Sequence, residues 1–179
     1  MIRKTNAVSG ATIYEYSKAG DLLSETDAMG KKKTYTYDIY GNKLTATDAR
    51  GNITRYTYDA NDNLLTVRDA LGNITTYTYN SLNQLISVKD AKNNMFTTIY
   101  DGNGNVLKTL DAKGNVVSQT VYNCLNLPAS VIDSTGKTTT YSYNALGKVA
   151  TVTDSMNHRQ EYTYNSRGQN TAVRDANNQ

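Results

Sequence analysis

Residues 53–73 read Ile53-Thr54-Arg55-Tyr56-Thr57-Tyr58-Asp59-Ala60-Asn61-Asp62-Asn63-Leu64-Leu65-Thr66-Val67-Arg68-Asp69-Ala70-Leu71-Gly72-Asn73, and this stretch decides the fold. Tyr56 and Tyr58 stand at i and i+2, so they share one face of an extended strand while threonine and arginine take the other. Asp59 to Asn63 is a cluster of turn formers that reverses the chain. Leu64 to Arg68 reads as a second strand, with Leu65 and Val67 on one face, and Asp69 to Asn73 turns the chain again. Helix is no rival, because Asp, Asn, Gly and Thr recur too densely to leave a run of good helix formers.

The same pattern recurs along the chain on either side. Anchor tyrosines stand at Tyr16, Tyr37, Tyr58, Tyr79, Tyr100, Tyr122, Tyr143 and Tyr164, at intervals of 21, 21, 21, 21, 22, 21 and 21 residues. A second tyrosine lies two residues earlier at Tyr14, Tyr35, Tyr56, Tyr77, Tyr141 and Tyr162, with Thr98 and Thr120 in its place in the two middle units. Eleven residues after each anchor comes an aspartate: Asp27, Asp48, Asp69, Asp90, Asp111, Asp133, Asp154 and Asp175. Three residues further stand Gly30, Gly51, Gly72, Gly114 and Gly136, with Asn93, Asn157 and Asn178 as substitutes, the residue types that best accept positive φ. These are the structural positions of the repeat: the tyrosines are expected to pack as a ladder, and the Asp and Gly positions to fix the turns.

The expected fold is all-β, an antiparallel meander of tandem 21-residue β-hairpin repeats. With strands of about 5–6 residues, roughly sixteen strands are expected. Residues 1–179 read as a single array of about eight units, incomplete where Asp175-Ala176-Asn177-Asn178-Gln179 breaks off inside a turn. One such hairpin is marginal in water, so each unit has to be stabilised by its neighbours. The extra residue between Gly114 and Tyr122 would turn every later side chain to the opposite face in a rigid register, so a bulge or a longer turn is expected to absorb it. Pro128 makes the surrounding segment the least regular.

Composition agrees with a thin sheet. Leu, Ile, Val and Phe supply 33 of 179 residues, few for a thick dry core, while 15 tyrosines bring large rings whose hydroxyls need partners. The 19 basic and 16 acidic residues are interspersed, so neither nucleic acid nor membrane insertion is expected. No apolar run reaches the length of a signal peptide or a membrane span. Asn52-Ile53-Thr54 and Asn73-Ile74-Thr75 match glycosylation acceptors in form, but both fall at one repeat position and read as turn chemistry.

The sequence offers little for catalysis, cofactor or metal. His158, the single histidine, reads as a solvated turn residue, and Cys124, the single cysteine, as an inert thiol with neither a disulfide partner nor a nearby base. The repeated aspartates read as acceptors of backbone N–H groups in Asx-type turns. Asp59-x-Asn61-x-Asn63 and Asp101-x-Asn103-x-Asn105 alternate oxygen ligands as a calcium loop does, but Leu64 or Val106 replaces the required Gly, and Ala70 or Ala112 the bidentate Glu. The tyrosine rows admit two uses, packing along the ladder or stacking on glycans and protein partners.

Tyr37-Asp38-Ile39-Tyr40-Gly41-Asn42, Tyr58-Asp59-Ala60-Asn61-Asp62-Asn63 and Asp69-Ala70-Leu71-Gly72-Asn73-Ile74-Thr75-Thr76-Tyr77-Thr78-Tyr79 resemble the YD repeat of RHS and wall-associated proteins, over essentially the whole chain. The resemblance implies a curved sheet or a segment of a spiral β-shell, as in bacterial polymorphic RHS toxins, insecticidal toxin complexes and teneurins. It implies further YD repeats of the same or a longer chain as partners, an enclosed C-terminal toxin domain, and a secreted or bacterial cell-surface location. The family's self-cleaving core motif is not among these residues. The leading expectation is a non-catalytic structural segment, and the alternative is a carbohydrate- or cell-surface-binding module that uses the tyrosine face.

Overall fold

The structure, a computed structural model, describes residues 4–5 and 12–175. The expected turn at Asn178 lies outside the described residues. The chain divides after Asn94 into two compact units. The first holds β1 (Lys4–Thr5), β2 (Ile13–Tyr16), β3 (Leu22–Thr26), β4 (Lys32–Tyr37), β5 (Lys43–Thr47), β6 (Ile53–Tyr58), β7 (Leu64–Arg68), β8 (Ile74–Tyr79) and β9 (Leu85–Lys89). The second holds β10 (Met95–Tyr100), β11 (Val106–Leu110), β12 (Val116–Tyr122), β13 (Pro128–Asp133), β14 (Thr138–Tyr143), β15 (Val149–Thr153), β16 (Arg159–Tyr164) and β17 (Asn170–Arg174). The fold is all-β. β2 to β17 are the expected hairpin strands, and β1 adds two residues that pair with Tyr14 and Ile13 of β2.

Within each unit successive strands pair antiparallel, and two kinds of junction alternate. In the hairpin pair β6–β7, Arg55 faces Arg68, Tyr56 faces Val67 and Thr57 faces Thr66, but Tyr58 then faces Leu64 and leaves Leu65 out of register. A bulge therefore sits beside the turn. It recurs in the hairpins β2–β3, β4–β5, β8–β9, β10–β11, β12–β13, β14–β15 and β16–β17. The junctions between hairpins carry three register pairs each, as in β5–β6, where Thr45 faces Arg55, Ala46 faces Thr54 and Thr47 faces Ile53. This ladder stops short of the first residue of the odd-numbered strand.

The extra residue lies in β12, which is seven residues long. Opposite β11, Ser118 faces Thr109 and Val116 faces Leu110, so Val117 is skipped. The bulge returns β12 to the common phase before Tyr122. Pro128 opens β13, where a strand tolerates proline because no mid-ladder N–H is lost.

No hydrophobic side chain is buried among the described residues, and Ser24, at 2% exposure, is the one buried polar residue. A single sheet layer has no second layer to close over it, so both faces stay half-wet. On one face the tyrosine two residues before the anchor meets an aliphatic partner in five hairpins, as Tyr56 with Val67 and Tyr77 with Val88, while Tyr14 faces Glu25. The other face carries hydroxyl pairs, Thr36 with Thr45 at 2.6 Å, Thr57 with Thr66 at 2.6 Å and Ser142 with Thr151 at 2.7 Å. Cross-strand Thr pairs and aromatic–β-branched pairs are the units of stabilisation in such a sheet.

Candidate functional site

The repeat is built from one turn used at both ends of the strands. At Asp48, the backbone N–H of Gly51 donates to the Asp48 carbonyl at 3.0 Å, and the Asp48 N–H donates to the Asn52 carbonyl at 2.9 Å. The N–H groups of Arg50 and Asn52 donate to Asp48 Oδ1 at 2.8 and 2.9 Å, and Asn52 Nδ2 donates to Asp48 Oδ2 at 2.8 Å. One carboxylate thus closes the loop with three hydrogen bonds. The fourth residue, Gly51, has φ of 85°, the positive-φ geometry of a three-residue hairpin loop with an adjacent bulge. Asp27, Asp69, Asp90, Asp111, Asp133 and Asp154 hold their turns through the same Oδ1 contacts. Gly30, Gly72, Gly114 and Gly136, and Asn93 and Asn157, take positive φ at the fourth position.

The residue directly after each anchor tyrosine does the same work at the other end of the strands. Asp38, Asp59, Asn80, Asp101, Asn123, Asn144 and Asn165 each accept the N–H two and four residues on, and Ser17 does so with its hydroxyl. These positions fall outside the register of repeated aspartates, although an Asp, Asn or Ser after every anchor tyrosine is the signal that marks them.

The hydrogen bonds also set the charge state. The Asn52, Asn63, Asn73, Asn94, Asn105 and Asn115 side-chain amides hold Asp48, Asp59, Asp69, Asp90, Asp101 and Asp111 below the usual carboxylate range, helped by backbone N–H donors. At Asp38 the largest influence is desolvation, which raises the pKa, but the Asn42, Tyr40 and Gly41 donors together outweigh it.

The anchor tyrosines tie hairpins to one another. The Tyr37 hydroxyl donates to the Leu22 carbonyl at 3.0 Å, Tyr58 to Lys43 at 3.0 Å and Tyr79 to Leu64 at 3.1 Å. In the second unit Tyr122 donates to Val106 at 3.1 Å, Tyr143 to Pro128 at 2.8 Å and Tyr164 to Val149 at 2.8 Å. Each acceptor is the first residue of an odd-numbered strand, where the backbone ladder of the inter-hairpin junction has stopped. The same residue also faces the anchor tyrosine of its own hairpin: Lys43 faces Tyr37 and accepts from Tyr58. Tyr16 faces Leu22 and Tyr100 faces Val106 in this closing position. All eight anchors are half-buried. Burial raises the pKa of Tyr37, Tyr58, Tyr79 and Tyr143, and the tyrosine two residues earlier raises it further in each.

A side-chain relay links neighbouring turns. Asn42 Nδ2 donates to Asp62 Oδ1 at 2.6 Å, Asn63 Nδ2 to Asn83 Oδ1 at 2.8 Å and Asn105 Nδ2 to Asn126 Oδ1 at 3.2 Å. Asp62, Asn83 and Asn126 all have positive φ, so each accepts a strained backbone in exchange for an acceptor aimed at the previous turn. After turns that end in Asp21, Leu127 or Lys148, which offer no amide, the position is glycine, at Gly41, Gly147 and Gly168, and it is also glycine at Gly104, after a turn that ends in Gln84. Sequence reading missed this pairing, which becomes visible only when residues twenty or twenty-one apart are compared.

The other candidates take local roles. His158 ends a turn as asparagine does elsewhere, its Nδ1 lying 2.9 Å from Asp154 Oδ2. Cys124 is exposed in the turn after β12. Asp59 gives its carboxylate to Asn61 and Asn63, and Asp101 to Asn103 and Asn105, so the oxygens of the calcium-like stretches already serve as turn acceptors. Among the described residues no three His, Cys, Asp or Glu side chains gather closely enough to hold a metal ion.

The fold has solved counterparts. The crystal structures of TcdB2-TccC3-TEV and of TcdB2-TccC3 superpose with a TM-score of 0.51 at 14% identity over 97% of this chain. A Photorhabdus luminescens Tc holotoxin pore carrying mutated TccC3 superposes with a TM-score of 0.50 at 14% identity. The chain spans only 14% to 15% of the length of these proteins, and the likeness shows the fold alone. A search of curated proteins returns no match. The RHS repeat model matches residues 16–53, 42–74, 58–95 and 122–155, more than half of the sequence, and the chain belongs to the RHS repeat family.

Proposed function

We propose that this chain is a non-catalytic building segment of an RHS-type β-sheet shell, and that the shell it contributes to encloses a C-terminal toxin outside the cell or at its surface. The observation that carries the reading is the tyrosine tether. Six anchor hydroxyls are committed to backbone carbonyls of the preceding hairpin, which joins repeat to repeat and orders no chemical site. Membership of a structural repeat family supports the absence of an enzymatic role. The alternative of glycan recognition finds no observation of its own, since the anchor rings are half-buried and six of their hydroxyls are bound to backbone carbonyls of the sheet.

Two measurements test this. Small-angle scattering of the purified chain should give the thickness of one sheet layer, about 10 Å. A compact particle with stacked layers would contradict the scaffold. Limited proteolysis of the native gene product addresses enclosure: a C-terminal segment that resists protease only while the repeats stay folded supports it, and equal cleavage in both states contradicts it.

A further inference from the structure

We infer that the hydroxyl face of β10–β12 carries a binding site for one class of small molecule, an aliphatic monocarboxylate. Its carboxylate meets Lys108 and Gln119, and its hydrocarbon lies on Ile99, Leu107 and Val121. The site is independent of the shell reading, because it lies on the face opposite the anchor tyrosines.

An interruption of the repeat marks the place. In β4–β5, β6–β7 and β14–β15 a hydroxyl meets a hydroxyl on this face, Thr36 with Thr45, Thr57 with Thr66 and Ser142 with Thr151. At the same register position Ile99 faces Lys108 in β10–β11, and Val121 faces Ser130 in β12–β13. Lys108 also faces Gln119 across the β11–β12 junction. Two adjacent hairpins thus put branched aliphatic side chains where the others pair hydroxyls, and they do so around one lysine. Neither the turns nor the tyrosine tethers use these side chains.

The replacement opens a depression of about 470 Å³ lined by Ile99, Asp101, Leu107, Lys108, Gln119 and Val121. Small-molecule sites occupy about 300–1,000 Å³, whereas a protein interface takes about 20–30 residues a side, so the size fits a small ligand. Ile99 and Val121 are 41% and 47% exposed, which leaves an aliphatic floor open to water. Charge complementarity selects the polar end of the ligand. Lys108 is half-buried, and among the described residues no carboxylate pairs with it. Asp101 is turned away: its Oδ1 accepts the Asn103 and Asn105 N–H groups, and its Oδ2 accepts the Asn105 amide, all at 2.9 Å. The Gln119 amide makes no hydrogen bond to another described residue and stands beside Lys108 as a second donor. An ammonium and an amide side by side suit one carboxylate, and the Asp101 charge at the rim disfavours a second.

The test titrates the whole 179-residue chain, isotopically labelled, with octanoate below its micellar concentration and follows chemical shifts. The expected result is saturable shifts centred on Ile99, Leu107, Lys108, Gln119 and Val121, with octylammonium binding at least several-fold more weakly. Lys108→Met should weaken octanoate about 3- to 10-fold through loss of one charge-assisted hydrogen bond, and Lys108→Arg should keep most of the binding. Ile99→Thr installs the residue that other hairpins carry at this position, so the fold is retained, and it should weaken octanoate about 2- to 5-fold. Shifts that do not saturate, or that spread evenly over the sheet, would overturn the site. Equal binding of octylammonium, or of octanoate to Lys108→Met, would overturn the carboxylate assignment. Tighter binding of a capped peptide of leucine and glutamate than of octanoate would overturn the small-molecule assignment. None of these results bears on the shell reading, which stands or falls on the tethers inside the chain.

Discussion

The junctions β5–β6 and β11–β12 perform the same task with different numbers of residues. At β5–β6 the tether from Tyr58 to Lys43 spans 15 residues, and at β11–β12 the tether from Tyr122 to Val106 spans 16. Both hydroxyl contacts have nearly the same length, 3.0 and 3.1 Å, because the extra residue is thrown out as a bulge at Val117. The sheet keeps the face and reach of the anchor tyrosine, and it allows the count of residues between anchors to vary. A bulge changes local twist, whereas a slipped register would move every tyrosine to the hydroxyl face.

Deletion breaks the comparison most sharply. Removing Thr57 from β6 leaves no bulge to absorb the change in that strand, and a loss of about 4 kcal/mol or more in urea unfolding is expected. Removing Val117 restores the common spacing and should change stability by about 1 kcal/mol or less. Equal damage from the two deletions would show that the bulge is not a neutral accommodation.

Acid comes next, because it acts on many turns together. Asp48, Asp59, Asp69, Asp90, Asp101 and Asp111 have folded pKa values below their unfolded ones, so their contribution is full above the ordinary value of about 3.9 and is lost as pH falls through the folded values. Tyr37, Tyr58, Tyr79 and Tyr143 have raised values, so theirs is full below about pH 10 and is lost as pH rises through the folded values. Circular dichroism across pH should therefore show a plateau with an acid and an alkaline limb. The alkaline limb should coincide with tyrosinate absorbance.

Single turns are smaller. Asp48→Ala in the regular region and Asp111→Ala beside the β12 bulge each remove an acceptor of two backbone N–H groups and one amide, and each should lower the thermal midpoint by a similar small amount. A much larger loss at Asp111 would mean that the bulge depends on its turn.

The sequence displayed the strands, the turns and the identity of the repeat, because tyrosines at i and i+2 and Asp-x-x-Gly spacing are local signals with local causes. Absorption of the extra residue by a bulge was legible too, as one of two outcomes that strand geometry allows. The bulge at Leu65 and its equivalents was hidden, since nothing in Leu64-Leu65-Thr66 distinguishes a bulged residue from an alternating one. The tether was also hidden, since it joins a side chain to a carbonyl, and carbonyls carry no sequence. Only Pro128 hints at it: a position whose needed group is C=O can be proline.

The most direct test of the account is amide hydrogen exchange of Tyr58→Phe, which removes one hydroxyl and leaves the ring. The expected result is a loss of protection of about 2- to 10-fold at residues 45–47 and 53–55 of the β5–β6 junction, the effect of one hydrogen bond, with the β6–β7 hairpin unchanged. Unaltered exchange at that junction would contradict the claim that tyrosine tethers, in place of a hydrophobic core, hold repeat to repeat.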